Sequence, residues 1–334
     1  MKITNLVELA NYLGLDKSTV SRALGGKPGV STQTRERVVQ TARQVGYVPN
    51  IHGQRLRSGK SRTLALLVCG LKLFTARFHG PLTLEVLSAV ASRGYDLSVV
   101  DAVQHAEEDI GHLLSQKGAI GVIVMGGAYP AGVFYALRRS SLPIIQLDVQ
   151  ANEFPDLACV ASENFEGIYR VTRHLIDLGH RRLACVGDPA RLSCYRERYR
   201  GFQKALTDAG LEEIGEAVTR HEAHAAGLLC VRPRPTAIVS LSDTHAEQVV
   251  IAARERGLAI PRDLSVTGFD DIDKTLVSSL SLTTVRVDLS GLVERAVDFL
   301  LSPVSTASSS RVEFRVETEL IVRTSSGPPP QVTG

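Results

Sequence analysis

Five polar side chains, three short hydroxyls and two cations, crowd one stretch near the start of the chain: Lys17, Ser18, Thr19, Ser21 and Arg22, in "DKSTVSRALGG". Hydroxyls that both donate and accept, set between two cations, suit one chemistry above others. They can read base edges in a DNA major groove and bind the phosphates beside them. The ordinary alternative is a solvated helix face, so the surroundings of the stretch must decide. Residues 1–60 hold ten Lys and Arg against three acids, a charge of +7, while the rest of the chain holds 28 basic and 32 acidic groups, a charge of −4. A basic head on a mildly acidic body points to a polyanionic partner for the head alone.

Other residues could carry different chemistry. Asp243, His245, Asp270 and Asp271 could form an acid–base set, but there is no Walker loop, no GxSxG, no metal-spaced His/Cys cluster and no GxGxxG after a strand. Catalytic residues, metal ligands and cofactors are therefore not expected. The five cysteines (69, 159, 185, 194 and 230) are odd in number, scattered and never spaced as CxxC. Most sit in apolar runs such as "LACVG" and read as small core residues, with Cys194 alone in a polar segment.

The polar stretch needs helices to present it. Leu6, Leu9, Ala10 and Leu13 recur at helical spacing over 5–13, and Gly14 supplies a turn. Asp16 can cap a second helix over 17–24, whose Val20 and Leu24 face inward; Ser31 can cap a third over 32–45, with Val38, Ala42 and Val45 on one face. Two helices on a short Gly-containing turn, with a supporting third, form a helix-turn-helix unit. The next stretch, "IHGQRLRSGKSR", is too poor in apolar residues to fold alone and reads as a linker. Beyond Arg62, apolar runs such as "LALLVCG", "AIGVIVMGG", "LACVGD", "TAIVSLSD" and "LSVTGFDD" alternate with helical segments. Continuous rather than alternating apolar strands imply parallel sheets covered on both faces. This much α/β chain exceeds one doubly wound sheet, so two lobes are expected, with any ligand between them at the strands' C-terminal ends. Asp270 and Asp148, each ending a strand run, could accept hydrogen bonds from a ligand there. The N-terminus has no apolar signal core, and no run approaches the ~18 apolar residues of a membrane span. A cytoplasmic protein without a membrane partner is expected.

"DKSTVSRALGGKPGVSTQTRERVVQTARQVGYVPN" closely resembles the DNA-binding head of LacI/GalR-type transcriptional repressors, and "LIDLGHRRLACVGDP", "RERYRGFQKALTDAGL", "RPTAIVSLSD", "VTGFDDID", "LTTVRVDL" and "ETELIVR" extend the likeness over almost the whole chain. The resemblance implies an all-α helix-turn-helix head and an α/β body of two doubly wound parallel-sheet lobes of periplasmic-binding-protein type. It implies a homodimer on a palindromic double-stranded DNA operator, and a small-molecule effector, a sugar or sugar derivative, in the body. The expected division is a head over 1–46, a hinge over 47–61 and a body over 62–327. Within the body, the N-lobe spans about 62–160 and 289–317, the C-lobe about 161–288 and 318–327. A disordered tail, 328–334, follows. The resemblance places Lys17, Ser18 and Arg22 at base-reading positions. Thr19, Ser21, Thr32 and Thr34 are better phosphate candidates, and Asn50 joins the DNA-facing set. Leu56, in "GQRLRSG", becomes a wedge into the minor groove.

In the body, the resemblance puts Arg198 where a planar fork grips effector oxygens, with Phe78 and His79 as a pocket-lining aromatic pair. Ser242 stands where an asparagine is usual, which removes an amide and makes room. "VCGLKLFTARFH" is longer than the usual loop after the first strand, and the chain between Ala223 and Pro233 is shorter, so the effector does not transfer by analogy. The expected function is a transcriptional regulator, most readily a repressor of a carbohydrate-catabolic operon released by its effector. A transport-type binding protein would have no use for residues 1–60, and the sequence does not set the sign of the response.

Overall fold

The computed structural model describes residues 6–45, 61–72, 77–104, 107–127, 129, 131–148, 157–214, 223–272, 280–302 and 312–331. They fall into two compact units that divide at Ser61/Arg62. The first holds α1 (Leu6–Leu13), α2 (Lys17–Leu24) and α3 (Thr32–Gln44). Leu9, Ala10, Leu13, Val20, Ala23, Val38 and Ala42 meet in one core, and Leu24 and Val45 pack on it half-buried. Gly14, at φ +65°, ends α1 in a Schellman turn: its N–H bonds Asn11 O and that of Leu15 bonds Ala10 O. The turn frees the chain to start α2 three residues later. Ser31 caps α3 as expected, its Oγ accepting from the Thr34 N–H at 3.2 Å. Asp16 behaves differently: it has the extended backbone of an N-cap, but its side chain accepts no hydrogen bond from α2. The hinge over 47–61, with Asn50 and Leu56, lies outside the described residues apart from Ser61.

The second unit opens with a six-stranded, wholly parallel sheet of β1 (Thr63–Val68), β2 (Asp96–Asp101), β3 (Ala119–Met125), β4 (Ile144–Leu147), β5 (Ala158–Ser162) and β10 (Glu313–Val316), in the order β10-β5-β4-β3-β1-β2. Its apolar runs are continuous because helices cover both faces. Leu64, Leu66 and Val68 of β1 pack with α4 (His79–Ser92) and α11 (Leu289–Leu301); Ala65 and Leu67 turn to α5 (Glu107–Gln116) and α6 (Ala131–Arg139). A second parallel sheet joins β6 (Leu183–Val186), β7 (Ala237–Ser240) and β8 (Ser265–Thr267). α7 (Asn164–Asp177) and α8 (Ser193–Asp208) cover one of its faces, α9 (Ala223–Leu228) and α10 (Asp243–Glu255) the other.

One feature departs from two purely parallel lobes. β9 (Thr284–Val287) and β11 (Thr318–Ile321) pair antiparallel beside β8, to which single bridges at Thr267–Thr283 and Asp270–Arg286 connect β9. β9 runs toward the large sheet and β11 away from it, so two connections between the lobes must run in opposite senses. Gly201 decides how closely α7 and α8 approach: a Cβ there would lie 2.2 Å from the Phe165 carbonyl oxygen.

The chain end also differs from expectation. Residues 328–331, expected to begin a disordered tail, are part of the described structure, and Pro329 lies against Gly179. The segment before them is tied down. Ser325 is buried and bonds Val266 O, while the Gly327 carbonyl accepts from buried His180 at 2.8 Å. Prolines lose little backbone freedom on docking, so a few anchoring bonds suffice to order them.

Candidate functional site

In the head, Lys17, Ser18, Arg22 and Thr32 are exposed, and Thr19, Ser21 and Thr34 half-exposed. Val20 and Ala23 anchor the same helix from below, so one short helix is clamped by its apolar side and offers its polar side to solvent. Arg35 donates to Lys27 O at 2.6 Å and Arg37 to Leu13 O at 3.3 Å, which ties α3 to the loops at both ends of α2. The Thr34 hydroxyl lies 2.8 Å from Ser31 Oγ, where the cap of α3 fixes it. A rigid helix edged with hydroxyls and cations can dock against phosphates and base edges without ordering flexible loops.

In the body, the strand ends of the two lobes enclose a cleft of about 380 Å³, within the range of small-molecule sites. Cys69, Phe78, His79, Gly126, Gly127 and Asp148 line it from the N-terminal lobe; Arg191, Leu192, Ser193, Cys194, Tyr195, Arg198 and Asp270 line it from the other. Five of the six residues singled out in the sequence therefore meet here. Ser242 does not line the cleft. It caps α10, accepting from the His245 N–H, and its hydroxyl lies 2.8 Å from His245 Nδ1, behind Tyr195. A serine at a helix start satisfies the helix before it reaches a ligand.

Arg198 is almost fully buried and its fork is largely occupied. Nε donates to Asn164 Oδ1 at 2.7 Å, Nη1 to Leu241 O at 2.7 Å, and Nη1 also stands 3.1 Å from Asp270 Oδ1. The guanidinium lies 3.7 Å over the Phe269 ring. Its effect is to fix Asp270, itself at φ +114°. Asp148 also has a left-handed backbone, φ +58°, and its buried Oδ1 has no hydrogen-bond partner. Burial pushes the Asp148 carboxyl up to about 7, Arg198 opposing and the Asp270 charge adding; burial raises Asp270 to about 6 against the pull of Arg198. Two strained acids, one with an unmet lone pair, are prepared for a ligand that donates hydrogen bonds.

The acid–base set considered from the sequence is dispersed into structural roles. Asp243 accepts from Thr284 Oγ1 at 2.6 Å and from the Ile272 N–H at 2.9 Å; Asp271 pairs with Arg286 and Arg323. His245 is pushed down to about 4, by burial first and then by the charges of Arg191 and Arg198. Cys159 and Cys185 are core residues, whereas Cys69 and Cys194 face the cleft.

A model of bacterial regulatory proteins of the lacI family matches residues 5–50, and one of the periplasmic binding protein-like domain matches residues 172–326. The chain belongs to the LacI family. This LacI-family protein is accordingly a DNA-binding transcriptional regulator. It is 26% identical over 339 residues to the HTH-type transcriptional repressor PurR of Pasteurella multocida, covering 97% of this chain and 98% of the relative. The lac repressor dimer bound to operator and the anti-inducer ONPF superposes with a TM-score of 0.82 at 23% identity, over 97% of this chain and 99% of that one. The complex of the transcriptional regulator CelR with cellobiose gives 0.67 at 26% identity, over 96% and 99%. Among the described residues, no helix is long and apolar enough to cross a membrane.

The residues that sequence reading of this LacI-family chain missed are Asn164, Arg191, Tyr195 and Phe269. Tyr195 was within reach, since it lies three residues before Arg198 on the same helix face and packs edge-on against His245 at 5.4 Å. Asn164 and Phe269 come to Arg198 from distant segments, and no local pattern marks them.

Proposed function

We propose that this regulator represses a carbohydrate-catabolic operon and is released from a palindromic operator when a sugar-like effector enters the interlobe cleft. One observation carries the effector reading: Asp148 lines the same cleft as Asp270, and its buried Oδ1 has no hydrogen-bond partner. Vicinal hydroxyls are the donors such carboxylates accept from most readily. Lys17, Ser18 and Arg22 read bases, while Thr19, Ser21, Thr32 and Thr34 hold phosphates and Asn50 joins the DNA-binding set. Leu56 wedges into the minor groove as part of a hinge too poor in apolar residues to be helical alone. Exposed Leu84 and Leu87, one turn apart on α4, support a homodimer, because a second copy would remove them from water. The protein works in the cytoplasm and performs no catalysis; Arg198 and Asp270 serve binding. Lobe closure shifts the N-terminal lobes and withdraws the hinges, so the effector weakens DNA binding only as far as it prefers the released form.

The test is selection of bound duplexes from a randomised pool, followed by affinity measurements on the enriched sequence. A palindrome with half-sites about one helical turn apart is expected, bound with an affinity that falls steeply between about 50 and 200 mM salt. An unenriched pool, or an affinity flat in salt, defeats the reading of the head. On that same duplex, Asp270→Asn should bind as the parent does but lose its response to an inducing sugar, because an acceptor-only group becomes a mixed donor–acceptor amide. An undiminished response would mean that the effector binds elsewhere.

A further inference from the structure

The lining of the cleft is not neutral in character. α4 and α8, of 14 and 16 residues, start at the cleft from opposite lobes, with His79 and Ser193 among the lining residues. Neither helix has a side-chain cap, since Phe78 and Leu192 occupy the cap positions, and neither has an acid in its first turn. α10 and α11 are capped by their own Ser242 and Asp288. An uncapped N-terminus presents N–H donors and about half a positive charge. These termini alone would say little, because helices of this fold begin there whatever the ligand.

Two further observations point to a bound molecule. Arg191 lines the cleft, is exposed, and has no ion-pair partner among the described residues. Its charge is felt inward, as it helps to hold His245 in the neutral form. Deeper in the cleft, buried Asp148 Oδ1 lacks any hydrogen-bond partner. The deep charges account for one another: Arg198 is matched by Asp270, and burial favours the protonated form of Asp148. Among the described residues Arg191 remains as a cation without a counter-ion, lining the same cleft as His79 and Ser193 at the starts of α4 and α8.

We infer that the effector is a sugar bearing an anionic group, its hydroxyls on Asp148 and Asp270 and its anion on Arg191 between the N-termini of α4 and α8. This rests on the effector reading of the cleft and narrows it to phosphorylated or acidic sugars. Both kinds supply the same chemistry, several hydroxyl donors at one end and a charged multi-oxygen acceptor at the other. Arg191 is then a specificity-determining residue, since its guanidinium offers a planar fork to either oxyanion.

Calorimetric titration of the full chain tests this. The probes are glucose 6-phosphate and ribose 5-phosphate, gluconate and glucuronate, the neutral parents glucose and ribose, and inorganic phosphate. At least one anionic sugar should bind about tenfold or more tightly than its neutral parent, the size expected of one charge-assisted hydrogen bond. Which arm responds separates phosphate ester from carboxylate. Arg191→Gln should shrink that ratio toward one, and Asp148→Asn should weaken the sugars but not inorganic phosphate. Neutral parents that bind as tightly as the anionic sugars, or a ratio unmoved in Arg191→Gln, would overturn the inference and leave the sugar-effector reading standing. If no sugar of either kind binds, or only inorganic phosphate does, both readings fall.

Discussion

Arg198 shows how one side chain is used up by its surroundings. Its fork bonds Asn164, Leu241 and Asp270, so it acts by fixing a carboxylate more than by reaching outward. A charged pair this buried holds geometry more than it adds stability. The side chains proposed to face DNA are the opposite case. Lys17 and Arg22 are exposed, and their value lies in what they can reach. Arg22→Ala should therefore leave folding unchanged and cost roughly 1–3 kcal/mol of discrimination between the selected operator and variants altered at the contacted base pair. Thr34→Ala keeps the backbone N–H that Ser31 caps and removes the hydroxyl together with its methyl, so it should weaken all duplexes about equally. Competition binding on a panel of single-base operator variants separates the two outcomes.

At the scale of elements, the contact between α7 and α8 holds in place the helix that carries four of the cleft's lining residues, Ser193, Cys194, Tyr195 and Arg198. Gly201 lets the helices touch backbone to backbone, and Arg198 sits one turn earlier on α8, reaching Asn164 at the start of α7. A Cβ at 201 has backbone as its obstacle, so no side-chain rotation relieves it. Gly201→Ala should destabilise the body by about 1–3 kcal/mol or more, although alanine is the better helix former in isolation. It should also weaken effector binding, because separating the helices pulls Arg198 from Asn164 and loosens Asp270. Denaturant unfolding and titration of the binding sugar on the same preparation would show both effects. A stabilised variant would mean that the helices adjust freely and that their spacing does not position the site.

For the whole molecule, buried titratable groups give stability a pH dependence whose sign can be worked out. Burial raises the carboxyls of Asp148 to about 7 and of Asp243 to about 8. An acid whose folded value is raised contributes stability that is complete below its unfolded value and is lost as pH climbs through the folded one. The histidines act in the other direction. His79, His174, His180 and His245 are all lowered by burial, so they cost stability only below about 6.5, where the unfolded chain takes up protons. Between pH 6.5 and 8 the two acids act without opposition from these histidines, and the melting temperature of the body should fall. Asp148→Asn should flatten the first half of that decline, up to about pH 7. A melting temperature that rises over this interval would show that the acids are not held in their protonated forms.

The sequence by itself determined what local periodicity and composition can carry. The helices of the head follow from leucines and valines at helical spacing with Gly14 at the turn. The parallel sheets follow from apolar runs too continuous for a half-exposed strand, and the basic head from the charges on residues 1–60. Asp148, Arg198 and Asp270 were legible as strand-end and motif positions. Their backbone strain was not, because φ at an aspartate depends on where the next segment must go. Only the tertiary structure decided that Ser242 turns into its own helix, that Asp16 leaves α2 uncapped, that β9 and β11 run antiparallel, and that the proline segment docks beside Gly179. It alone brought Arg191 and Tyr195 to one cleft with Asp270, and Asn164 to the guanidinium of Arg198. Each of these outcomes is a choice between partners of similar chemistry. A hydroxyl or carboxylate satisfies whichever donor the fold brings nearest, and that distance is set by segments tens of residues away along the chain.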